Sequence, residues 1–242
     1  MSHKHENPIV FSYLTLRKAV GWIGLTLPFI LWIGGWIFQL FAGAPHLQIE
    51  SSISSYYYTG MGNVFVGLLC AIGVFHLATE GYDLRDRISG RLACIFALGV
   101  AWFPTTPELK WPAVPTHAQC IVGNLHYTFA ALLFLTLAFF CIFQFTQTTD
   151  LRTRTRRKRN RNAVYYSCGG AILGCIAVIG TVKTFDFLGI AVCFRHWLDS
   201  WKWNFWFESL ALFAFGAAFL IKGEFILRDE PGPNPDRHAL PR

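Results

Sequence analysis

A chain of 242 residues with 53% hydrophobic and 14% charged residues falls outside the range of a soluble domain, which carries about 25% charge. The net charge of +7 does not mark a nucleic-acid binder, because the basic residues cluster between apolar blocks. The seven Cys include no CxxC pair, and Cys70, Cys94, Cys141, Cys168 and Cys175 lie inside apolar blocks, where a thiol behaves as a small hydrophobe. No metal centre and no cofactor are expected.

The apolar residues come in blocks long enough to cross a bilayer, whose core of about 30 Å takes about 20 residues of helix. The first runs from Ala19 to Ala42, and Pro28 inside it is tolerable in a membrane helix. The run is too long for a cleavable signal. The second covers Asn63 to Ala78. The third, Leu92 to Phe103, is short and should extend into its flanks. The fourth covers Leu125 to Phe145, the fifth Ala163 to Val182, and the sixth Trp203 to Ile221. Without water, backbone N–H and C=O groups need internal partners, so each block is predicted to be a helix. None alternates as a barrel strand would. Aromatic residues make up 17% of the chain and gather at block ends, as in an interfacial belt.

With six spans, all but four of the 21 Lys and Arg fall on one side. The exceptions are Lys110, Lys183, Arg195 and Lys202. The positive-inside rule then places both termini in the cytoplasm. The run Arg152–Arg161 is read as an orientation signal that also meets anionic headgroups. Residues 1–228 are expected to form one six-span transmembrane domain, an all-α integral membrane bundle, and residues 229–242 a disordered cytoplasmic tail. Gly170 and Gly174 form a GxxxG, a common device for close helix packing.

Ionisable groups inside spans are costly and mark candidate sites. Glu208 lies one to two turns from the outer end of the sixth block. Asn124 and His126 lie near the outer end of the fourth, with His117 before them. The first outer loop, SSISSYYYTGMGN, is dense in hydroxyls and contains Ser54 and Asn63. Ser54, Asn63, Asn124, His126 and Glu208 are therefore a candidate outer polar cluster. His117, His126 and Glu208 carry no HxxxH or HExxH spacing, so a hydrogen-bonded interfacial histidine is favoured over a metal ligand. No GxSxG supports a nucleophilic serine. Cys120 and Cys193 share the outer side and are a possible disulfide. His76 is read as an inner polar anchor.

The segments SISSYYYTGMGNVFVGLLCAIGVFHLATEGYD, WFPT, LHYTFAALLF and FWFESLALFAFGAAFLIKG resemble a family of bacterial multi-pass membrane proteins of unknown function. More distantly the chain resembles the DRAM/Sfk-like membrane proteins, through the hydroxyl-rich loop with Ser54 and the His at the start of a later span, His126. That resemblance implies a bacterial inner membrane, a lipid-related role, and interest in Ser54, Asn63, His126 and Glu208. Ceramidase-type hydrolases differ in span count and ligand spacing. The leading expectation is a protein that binds or organises lipids, with membrane lipids as partners and an outer-leaflet polar pocket. A membrane-embedded lipid hydrolase or transferase using His126 and Glu208, and a small proton-coupled transporter using Glu208, are the alternatives. The sequence leaves the oligomeric state open.

Overall fold

The computed structural model describes residues 8–43, 49–78, 84–108, 113–147, 156–189 and 198–224. Within them the chain forms six main helices. They are α1 (Pro8–Phe41), α2 (Gly62–Ala78), α3 (Leu84–Trp102), α4 (His117–Phe139), α5 (Arg156–Phe187) and α6 (Trp203–Lys222). A 3-10 turn, Ser54–Tyr58, precedes α2, and α4 ends in a π turn, Phe140–Gln144. No strand occurs among the described residues.

Each apolar block becomes a helix, and most helices overrun their blocks. The third block grows backwards to Leu84, so its first two turns carry Arg85, Asp86, Arg87 and Arg91. The fifth grows at both ends. Helices α1, α4, α5 and α6 are long and apolar enough to cross a membrane. Helix α2 is apolar but has 17 residues, a length of about 25 Å at 1.5 Å per residue. Large apolar side chains face outwards, among them Trp22, Phe29, Ile33, Trp36 and Phe38 on α1 and Leu135, Phe139 and Phe143 at the α4 end. Water would penalise so much exposed apolar surface. The bundle is that of a membrane-embedded protein.

Helices adjacent in sequence pack against each other, and α6 closes the ring on α1. The directions alternate. The end of α1 meets the start of α2, where Gly35 faces Tyr56 and Gly34 faces Met61. The end of α6 returns to the start of α1, where Gly223 faces Lys18. All six helices thus run between the same two ends. One end carries Arg17, Lys18, Arg85, Arg87, Arg91, Arg161, Lys222 and the α5 run Arg156–Arg159. The other has Lys183 and Lys202 as its only Lys or Arg among the described residues. We call these the basic end and the serine-rich end.

Helices α1 and α6 approach closely. A Cβ added to Gly216 would lie 2.7 Å from the Gly21 carbonyl oxygen, and one added to Gly24 would lie 3.2 Å from the Gly216 Cα. Small residues let membrane helices gain van der Waals contact at close range. The GxxxG of Gly170 and Gly174 does not do this. Both glycines are exposed, and an added Cβ meets nothing within 4 Å. Gly169, one residue earlier, packs instead. A Cβ added to Gly169 would sit 2.4 Å from Ile142 Cγ1.

The basic end is densely filled. Phe145 lies against Tyr165 and Phe219, with ring centroids 5.4 and 4.9 Å away. Arg17 and Lys222 each sit 5.7 Å from the Phe145 ring centre, within cation–π range. Buried His76 donates from Nδ1 to the Ile72 carbonyl at 2.8 Å and stacks among Phe140, Phe215 and Phe219. His76 is thus buried more deeply than a polar anchor near a helix end requires.

Candidate ligand-binding site

At the serine-rich end the segment Ser51–Tyr58 folds back over the bundle, and Glu208 holds it there. The Glu208 Oε2 accepts hydrogen bonds from the backbone N–H groups of Ile53 at 2.7 Å and Ser54 at 3.4 Å. These donors open the 3-10 turn and have no partner within it, so a carboxylate is a strong acceptor for them. The tie is reciprocal. The α6 N–H of Phe205 donates to the Ser51 carbonyl at 3.0 Å, and buried Tyr56 packs on the Phe205 ring. Burial pushes the Tyr56 phenol up to about 12, so it stays protonated at physiological pH.

Hydroxyls complete the cap. Ser55 bonds both Ser51 and Ser52 through its hydroxyl at 2.8 Å, and Ser51 donates to Glu108. Tyr58 donates to the Thr105 carbonyl at 2.6 Å, and the Thr105 hydroxyl donates to Tyr127 at 2.8 Å. The cap is thereby joined to the α3–α4 connection and to α4.

Beneath the cap lie three adjoining spaces that share lining residues. A polar vestibule of about 340 Å³ is bordered by Ser51, Ser55, Glu108, Lys202 and Asn204. It shares Tyr127, Lys183 and Asn204 with a cavity of about 480 Å³ between α4, α5 and α6. That cavity shares Ser54, Phe134 and Glu208 with a small apolar pocket of about 50 Å³ deep in the bundle, walled by Leu69, Leu137 and Phe215. Polarity falls from the charged vestibule to a pocket that is apolar apart from Ser54 and Glu208 at its edge. Lys183 lies 5.0 Å from the Tyr127 ring centre and interacts electrostatically with Glu208. Asn204, one turn before Glu208, lines the same cavity.

Lys202 caps α6 in the left-handed region, at φ 51°. This conformation costs a non-glycine residue about 1 kcal/mol or more. It turns the chain into α6 beside the vestibule. There Lys202 faces Glu50, whose carboxyl is raised above the ordinary range by burial, lowered by Lys202 and raised again by Glu108.

Of the five residues shortlisted from sequence, the structure brings Ser54, Asn124 and Glu208 around one cavity. Asn63 is exposed at the start of α2 and does not join them. Neither does His126. It is fully buried against α3, where Nδ1 donates to the Phe103 carbonyl at 2.6 Å. A carbonyl only accepts, so Nδ1 carries the proton. The histidine satisfies a carbonyl left free at the end of α3. His117 is exposed in the first turn of α4. Among the described residues no three His, Cys, Asp or Glu side chains come together to hold a metal ion. The Cys120–Cys193 pairing, the loop Lys110 and Arg195, and the tail 229–242 lie outside the described residues.

Lys183, Asn204 and Tyr127 are the lining residues that sequence reasoning missed. Lys183 sits one position past the end assigned to the fifth block, yet α5 continues beyond it to Phe187. Asn204 precedes Glu208 by four residues, the spacing that puts two side chains on one helix face. No protein-family model, no curated protein and no solved structure matches this chain. Its functional reading rests on the geometry.

Proposed function

We propose that this is a six-span protein of a bacterial inner membrane, with both termini cytoplasmic, and that its serine-rich end is the outer side. There it binds a membrane lipid as a non-enzymatic lipid-binding or lipid-organising protein. The observation that carries the reading is the graded path from the charged vestibule, past Lys183 and Glu208, into the apolar pocket. An amphipathic ligand has that gradient built in. Sites for such ligands are mostly apolar with a few placed polar groups, in cavities of about 300–1,000 Å³. The charge asymmetry of the two ends supports the orientation, since the basic end suits the cytoplasmic face. A hydrolase would need a base beside its reacting centre, and His126 points to α3 instead.

The test is native mass spectrometry of protein released from mild detergent, read as phospholipid retained per folded molecule. Wild type is expected to retain phospholipid. Glu208→Gln keeps the shape and removes the charge, and should lower retention about ten-fold, a loss of about 1.4 kcal/mol. His126→Ala, off the cavity, should retain lipid in whatever fraction folds. Wild type free of lipid, or full retention by Glu208→Gln, would overturn the proposal.

A further inference from the structure

The cavity between α4 and α5 has a side as well as a top. We propose that its ligand enters sideways from the bilayer, between these two helices, and leaves one acyl chain lying between them. This inference rests on the lipid-binding reading above. Near the basic end the helices touch, since a Cβ on Gly169 would collide with Ile142 and lie 3.3 Å from the Cys141 Cβ. Eleven residues along α5, about 16 Å at 1.5 Å per residue, Gly180 lines the cavity and a Cβ there meets nothing within 4 Å. The pair is therefore a wedge, closed at one end and open at the other.

The open edge reaches the surface. Thr128 on α4 and Gly180 and Thr184 on α5 line the cavity and are also exposed. Its polar groups suit a hydrocarbon setting. Thr128 donates to the Asn124 carbonyl and Thr184 to the Gly180 carbonyl, both at 2.8 Å within their own helices. Behind the edge, Phe134, Ile176 and Ile179 offer apolar walls. A chain arriving through the vestibule would instead cross the layer of Ser51, Ser55, Glu108 and Lys202, losing apolar contact on the way. A chain arriving from the side never leaves an apolar medium.

The experiment measures exchange of a fluorescently tailed phospholipid between vesicles and the protein in nanodiscs. Gly180→Trp fills open space at the edge and should slow exchange about ten-fold. Thr128→Trp closes the same edge from α4 and should act alike, which covers a Gly180→Trp that fails to fold. Gly170→Trp, exposed on the same helix but off the cavity, should exchange as wild type does. If both edge variants exchange at the wild-type rate, the lateral route is wrong although lipid binding stands. If wild type itself takes up no lipid, the lipid-binding reading fails with it.

Discussion

The two ends of the bundle are built from similar materials and put them to opposite uses. At the basic end, positive charge is spread over aromatic faces. Arg17 and Lys222 flank Phe145, Arg161 reaches the Tyr165 hydroxyl at 3.3 Å, and the rings between them leave little space. At the serine-rich end, hydroxyls and carboxylates form a cap tied to α6, and a cavity lies open beneath it. The difference teaches how a membrane bundle separates stability from function. Close glycine contacts between α1 and α6 and the aromatic packing hold the ring together, so α4 and α5 are free to diverge at the other end.

That comparison can be broken most severely at Gly216. Leucine there would drive a Cβ into the Gly21 carbonyl oxygen and the Leu25 backbone, neither of which can give way. The expected loss is about 2–3 kcal/mol, seen as a lower Tm in detergent and a poor yield of monodisperse protein. The same change at Gly170, on the open face of α5, should alter stability by less than about 0.5 kcal/mol. Equal melting of the two variants would mean that α1 and α6 are not the seam that holds the ring.

The smallest expected effect sharpens the other end. Glu50 is half-buried beside Lys202 and Glu108, and burial raises its carboxyl. The folded chain therefore holds that proton more tightly than the unfolded one, whose carboxyl titrates near about 4.3. The resulting stability is present below that value and is lost as pH rises through the higher folded-state value. Glu50→Gln removes a buried charge without adding one, so Tm should rise slightly at about pH 7 and match wild type at about pH 4. A lower Tm at neutral pH would show that the Glu50–Lys202 attraction outweighs the desolvation.

Much of the fold was legible because crossing a bilayer demands long uncharged runs, and the chain shows them. That the short third block extends into its flanks was legible, but not how far. Hydropathy does not show that the helix takes in Arg85, Arg87 and Arg91 at the basic end. Glu208, Ser54 and Asn124, which line one cavity, were legible as candidates because polar groups near the ends of apolar blocks are costly. His126 and Tyr127 were not separable. Neighbouring helical residues point about 100° apart, and only the identity of the next helix decides which faces the cavity. Here α3 takes the histidine and the cavity takes the tyrosine. The carboxylate's first task, holding the backbone of Ile53 and Ser54, depends on a contact across 155 residues that no local pattern carries.

A cryo-EM map of the protein in nanodiscs made from its native membrane lipids tests the proposed lipid site most directly. The expected result is continuous density for an acyl chain between α4 and α5, passing Gly180 and Ile176, with its polar end near Lys183 and Glu208. A map in which α4 and α5 close against each other at Gly180, leaving no space beneath the cap, would contradict the account.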